Sequence, residues 1–399
     1  MVDATYTTPP EVGRYQMPAL VVGVVFLALS LAGLFLNQTD NFFRAYLMGY
    51  LFWTGIALGS LAVLMLQHLT GGAWGMVIRR VLESSTRTLP LLLLLFVPIF
   101  LGMHSLYEWT HQDKVNGDEI LQKKSGYLNI PFFAARVLIY FAIWLGLTYL
   151  LNKWSGEQDR TAERRYSRQM RMLSGPGLVL FVLTVTFASI DWAMSLDPHW
   201  FSTIWGLLFV AQWSLSAFAF VIALMALLST RAPFKGVVSP AHFHDLGKLL
   251  LAFVMVWAYF NFSQYLIIWS GNIPEETKWF ISRTRGWWGA VAILVIIFHF
   301  ALPFLMLLSR DLKRNARLLA FVAGLVLLMR LVDLFWIVAP KADKTHFELS
   351  GLWLYFVAPI GLGGIWLWYF ATQLRKRPLL PLNDPYLEEA LEHGKHGHH

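Results

Sequence analysis

Apolar side chains run almost without interruption through ten segments of this chain, at about 18–36, 45–69, 89–109, 132–151, 177–196, 203–229, 246–270, 287–309, 317–339 and 350–373. Each run is near or above the ~18 residues that a helix needs to cross a bilayer. Polar residues gather in short stretches between the runs, the longest at 110–131 and 152–176, where surface helices have room to form. The pattern predicts an all-α polytopic membrane protein of about ten spans. Residues 1–17 and 374–399 are expected to be terminal tails outside the ten-helix region at 18–373. The first 17 residues lack the basic, apolar and small-residue succession of a signal peptide, and read as a cytoplasmic tail.

Ten spans put both termini on one side. If that side is the inside, its loops hold Arg79, Arg80, Arg87, Lys153, Arg160, Arg164, Arg165, Arg168, Arg171, Arg310, Lys313, Arg314 and Arg317. The opposite loops hold far fewer basic residues, so the Lys/Arg bias places both termini in the cytoplasm. Composition agrees with a lipid-solvated chain: 57% of residues are hydrophobic and 14% charged, against roughly a quarter charged in soluble domains. The net charge of +8 is a property of these loops and does not indicate nucleic acid. There is no cysteine. Thiolate-held iron–sulfur clusters, c-type haem attachment and disulfides are therefore excluded on this chain. The His-rich EALEHGKHGHH reads as a solvated tail rather than a metal site.

Ionisable groups inside spans cost about 2.5–3.5 kcal/mol each on insertion scales and are candidates for function. His104 and Glu108 stand four apart in the third span, and Arg330 and Asp333 three apart in the ninth, as an intrahelical pair. Asp191 in the fifth span has no cation within reach on its own helix, and is expected to be a lone buried carboxylate able to exchange protons. Asn261, Gln264 and Tyr265 share one stripe of the seventh span, while Ser263 points elsewhere. His68 and His299 lie deeper, toward the inside. The outer-half residues come from four spans that one pocket could collect. Gly55 and Gly59 in the second span read as a close helix contact.

Four longer motifs stand in order along the chain: QHLTGGAWG (67–75), IDWAMSLDPHWFSTIWG (190–206), FSQYLIIWSGNIPEE (262–276) and RLVDLFW (330–336). Together they resemble the smaller NrfD-like, polysulfide reductase-type membrane subunit of bacterial alternative complex III, the ActF type, over nearly the whole chain. The resemblance implies two four-helix bundles, about 45–196 and 203–339, with the first and last spans outside them. It implies a place in the bacterial cytoplasmic (inner) membrane, in a quinol:cytochrome c or quinol:oxidase oxidoreductase. The partners it implies are a larger NrfD-like subunit, a periplasmic iron–sulfur subunit, pentahaem and monohaem c-type cytochromes, and a terminal oxidase as electron acceptor. Haem c and iron–sulfur clusters would sit on those partners, leaving no metal centre on this chain and menaquinone or ubiquinone as its candidate ligand. His68, His104, Glu108, Asp191, His299, Arg330 and Asp333 are then proton-path candidates. Asn261, Gln264 and Tyr265 are candidates for contacting quinone or orienting water. Two other readings stay open from the residues alone. One is a secondary transporter with a polar mid-membrane site, although no Gly/Pro-broken spans match between the two halves. The other is a b-type haem protein using His68 and His299.

Overall fold

The computed structural model describes residues 6–340 and 349–395. It is 83% helical, without strands among the described residues, and ten of its segments are long and apolar enough to cross a membrane. In chain order, α1 is Pro10–Phe35, α2 Thr39–Thr70, α3 Ala73–Thr86 and α4 Leu89–Leu95. Next come α5 Ile130–Thr161, α6 Arg164–Trp192, α7 Trp205–Leu228, α8 Pro240–Gly271 and α9 Pro274–Thr284. The chain ends with α10 Trp287–Val295, α11 Ala316–Val338, α12 Leu354–Leu374 and α13 Leu387–Lys395. Several helices overrun their apolar stretch. Helix α5 runs ten residues past the expected 151, and α6 starts at Arg164 instead of 177, so only a tight turn is left of the 152–176 loop. Hydropathy marks only the lipid-facing length of a helix, whereas backbone hydrogen bonding continues for as long as the residues tolerate it.

Helix α2 is the hub. Its apolar window is 94% buried, against 17% for α1, because α6, α7, α11 and α12 all pack on it. Helices α2, α4, α5 and α6 form one cluster, and α7, α8, α10 and α11 the other, joined along the α2–α7 seam. Helix α12 lies against α2 with α1 outside it. The glycines make the seam possible: a Cβ on Gly55 would stand 2.5 Å from Trp213 Cδ1, and one on Gly59 would collide with the Trp213 carbonyl. Gly59→Val should therefore force the two clusters apart. It is expected to lower the thermal midpoint of the purified protein by more than any single alanine substitution on the exposed face of α1, as read by tryptophan fluorescence.

Two helices are interrupted. The third span breaks after Leu95, where Pro98 cannot donate to the Leu94 carbonyl, and continues as short helical turns to Leu106. The eighth span widens into a π-helical stretch at Ile296–Ala301, followed by Leu302–Leu308 with Pro303 near its start. The chain leaves α8 through a turn at GNIPEE, where Asn272 closes α8 in the left-handed region at φ 46° and Pro274 opens α9. Both tails depart from expectation. Helix α1 begins at Pro10, the Leu379 amide donates to the Tyr6 carbonyl at 2.9 Å, and Leu379, Leu380 and Ala390 are buried. The C-terminal segment thus folds back instead of trailing in solvent, and α13 lies on α3 and α8. His393, which lies in the His-rich stretch, and residues 396–399 have no described side chains.

Candidate functional site

Asp191 is fully buried near the end of α6, and it is not alone. Arg136 of the neighbouring α5 grips it in a bidentate fashion, Nε to Oδ2 at 2.8 Å and Nη2 to Oδ1 at 2.9 Å, and the Tyr140 hydroxyl donates to Oδ2 at 2.8 Å. The expectation of a lone carboxylate is corrected on this point. Spacing along α6 shows only the cations of that helix, whereas the partner comes from across the helix interface. Arg136 is itself held by the Tyr127 carbonyl at 2.8 Å and lies over the Tyr127 ring at 3.8 Å. Tyr127 lies in the loop before α5, where burial, with the Asp191 charge adding to it, pushes its hydroxyl above the ordinary tyrosine range. The hydroxyl therefore stays protonated and can serve as a donor.

The second cluster surrounds Asp333 on α11. Arg330 pairs with it as the three-residue spacing implies, and Gln212 of α7 donates to it at 3.3 Å. Arg330 and Asp333 are each about 1% exposed. Beside them His299, in the π-helical stretch, is completely buried and meets the Trp257 ring edge-on at 4.5 Å. Among the described residues, neither imidazole nitrogen of His299, nor Arg330 Nη2, Gln212 Oε1 or Trp257 Nε1, completes a hydrogen bond. Buried polar atoms are seldom left unpaired, so this concentration makes the cluster a candidate site. A lipid-side groove of about 770 Å³ opens against the cluster, between α8, α10 and α11, and Asp333 forms part of its lining.

A third cluster escaped the sequence reading. Arg79 and Arg80, counted there as loop charges, lie on α3 and are each 1% exposed. Glu83, which is fully buried, accepts from Arg79 Nε at 3.0 Å, from Arg80 Nη1 at 2.6 Å and from Ser155 at 2.5 Å. Asp384 of the C-terminal segment pairs with Arg79 at 2.6 Å, and Asp159 with Arg80. Loop and helix charge look alike in a Lys/Arg count. The amphipathic spacing of WGMVIRRVLESS, with arginines three and four before a glutamate, is the signal that separates them. His68 stands within electrostatic reach of Arg79 and Glu83, its Nε2 buried and without a hydrogen-bond partner among the described residues.

The remaining candidates separate. Glu108 does not share a helix face with His104, because the helix ends at Leu106; it pairs with Lys114 at 3.1 Å, both partly exposed. His104 is exposed and lies against His111 with ring centres 3.6 Å apart. The stripe on α8 also divides. Asn261 donates to its own helix at Trp257 O and lines the groove with the half-exposed Tyr265, whereas Gln264 turns inward to accept from Ser202 at 2.9 Å. The outer polar residues thus form separate clusters in the two bundles, not the single pocket that depth alone allowed. At the same end, Arg44 donates to Val338 O at 2.8 Å and Arg283 to Ile337 O at 3.1 Å. These two buried cations close the negative end of α11, just beyond Asp333. Nearby, a hydrogen bond from His199, helped by the Leu121 amide, holds the Asp118 carboxyl below its usual range.

Among the described residues no three His, Asp or Glu side chains are grouped so as to hold a metal ion. No protein-family model matches the chain, and no curated protein matches it.

Proposed function

We propose that this chain is a membrane subunit of a bacterial respiratory quinol:cytochrome c (or oxidase) oxidoreductase, and that it supplies a proton path while its partners carry the electron-transfer centres. The observation that carries the reading is the Asp191–Arg136–Tyr140 cluster, a fully buried carboxylate held by a guanidinium and a phenol from the next helix. While Arg136 is docked, its guanidinium neutralises this carboxylate through two hydrogen bonds. The carboxylate takes up a proton when the guanidinium swings away, because an unpaired charge in that environment is costly. A carboxylate that alternates between these states relays a proton without any redox group of its own. Asp333 with Arg330 offers the same chemistry in the second bundle, and His68 beside Glu83 lies toward the opposite end. The motif resemblance supports the choice of complex. On this reading the partners are a larger NrfD-like subunit, an iron–sulfur subunit and c-type cytochromes, in the bacterial inner membrane.

Each proton moved against the membrane potential costs about 2.3 kcal/mol per 100 mV, so a path must alternate in step with quinol oxidation. In the reconstituted complex, Asp191→Asn is expected to lower the proton-to-electron ratio or the turnover while the subunits still co-purify. An unchanged ratio and turnover would remove Asp191 from the path. Purification of the wild-type chain without haem c proteins would contradict the complex and favour a transporter.

A further inference from the structure

The charge cluster on α3 is not balanced by its own carboxylates. Among the described residues, the guanidinium groups of Arg79, Arg80, Arg87 and Arg377 gather around the carboxylates of Glu83, Asp159 and Asp384. Asp384 is taken by Arg79 and Asp159 by Arg80, while Glu83 is shared between both arginines. Arg377 turns Nη1 inward to Glu83 but only to 3.6 Å, and that atom has no hydrogen-bond partner among the described residues. No hydrogen bond fixes its Nε or Nη2 among those residues either, and the side chain is 24% exposed. Arg87 has only neutral partners: Nε donates to the Glu83 carbonyl at 3.3 Å and Nη2 to Ser84 Oγ at 3.5 Å. The two arginines stand close enough to repel each other.

Both groups lie where the spans end. Arg87 stands two residues before α4, and Arg377 three residues after α12. Thr88 accepts from the Trp366 indole at 2.9 Å, which ties the α3–α4 junction to α12. Arg377 lies over α5 at Gly156, where a Cβ would come within 3.0 Å of Nη2. From Arg87 a spacing of three and four leads through Pro90 to Leu94, Val97 and Leu101, all exposed. A notch with two underpaired cations thus sits above an apolar strip, at the end of the bundle where the Lys/Arg-rich loops gather. A free phosphate would satisfy the cations and leave the strip uncovered. A zwitterionic headgroup would bring a further cation against the arginines. A headgroup with net negative charge satisfies both parts, because guanidinium forks match phosphate oxygens and basic pockets between membrane helices suit such lipids. We propose that Arg87 and Arg377 hold the phosphate of an anionic phospholipid, with its acyl chains lying along Leu94, Val97 and Leu101.

The inference needs only that the chain spans a membrane, and it stands or falls apart from the respiratory reading. The full chain, purified in mild detergent with the subunits that accompany it and stripped of loose lipid, is titrated with phosphatidylglycerol, phosphatidylcholine and inorganic phosphate. Phosphatidylglycerol should raise the thermal midpoint by about 2 °C or more, and the other two should not. The double variant Arg87→Gln, Arg377→Gln should need about tenfold more phosphatidylglycerol for the same shift. Arg317→Gln, an exposed cation at the start of α11, should respond as the wild type does. Phosphatidylglycerol with a photoreactive acyl chain should label residues within 90–101 of the wild type, which locates the site even if the double variant does not accumulate. Equal responses to the two lipids, or an unchanged response in the double variant, overturns the site. A shift from inorganic phosphate as large as that from phosphatidylglycerol overturns the lipid as its occupant. So does labelling only elsewhere, or a co-purified subunit that covers 90–101 in place of the label.

Discussion

Glu83→Ala is expected to abolish accumulation of the folded protein, the largest effect of any single substitution considered. Glu83 is fully buried and, among the described residues, is the only carboxylate bonded to both Arg79 and Arg80, with Arg377 Nη1 3.6 Å away. Removing it leaves guanidinium groups in the interior with less than their full neutralisation. Breaking a buried pair costs about 3–5 kcal/mol, of the order of the whole stability of many domains. Asp384 and Asp159 each hold one of the two arginines from outside α3 and cannot replace the shared central partner. Glu83→Gln keeps the shape and some hydrogen bonding but not the charge, so it should be milder than alanine and worse than Asp384→Asn. Fluorescence-detected size exclusion of detergent extracts would rank the three. Wild-type yield and elution for Glu83→Ala would show that the network contributes little to the fold. Because Asp384 reaches α3 from beyond α12, the Asp384 variant should also free the C-terminal segment, which limited proteolysis after residue 379 would reveal.

The ranking bears on what could be read from residues alone. The ten spans were legible because lipid solvation imposes a crude and unmistakable pattern, and so was the Gly55–Gly59 contact, because four-residue spacing defines one helix face. Arg330–Asp333 was legible for the same reason. Partnerships between helices were not. Arg136 lies within the expected fourth span, yet nothing in its sequence surroundings says that it meets Asp191, 55 residues away. Gln212, which reaches Asp333 across 121 residues, is hidden in the same way. Spacing rules describe one helix at a time, and membrane bundles neutralise charge between helices. The break at Leu106, which separates His104 from Glu108, was obscured differently: the apolar run continues past the last turn that the backbone can hold. The back-folded C-terminus was missed because its anchors, Asp384 and Leu387, look like ordinary residues of a polar tail.

Arg136→Leu should be more damaging than Asp191→Leu combined with Arg136→Leu, and this inversion distinguishes a buried pair from a surface one. The single variant leaves the Asp191 carboxylate, with no exposed surface, facing only the Tyr140 hydroxyl. An uncompensated buried charge of this kind costs about 3–5 kcal/mol relative to the intact pair. The double variant removes both charges, and two leucines in a site bounded by Phe132, Phe133 and Tyr140 recover part of the loss through apolar contact. Measured as thermal midpoints in detergent, the order should be wild type, then double, then Arg136→Leu. The functional order should differ: neither variant retains a titrating carboxylate paired to a guanidinium, so both should show the lowered proton-to-electron ratio expected of Asp191→Asn. Stability restored in the double variant without restored coupling would separate the structural role of the pair from its role in proton movement. A double variant that regains coupling would mean that protons do not pass through Asp191, and the path would have to be sought at Asp333 in the second bundle.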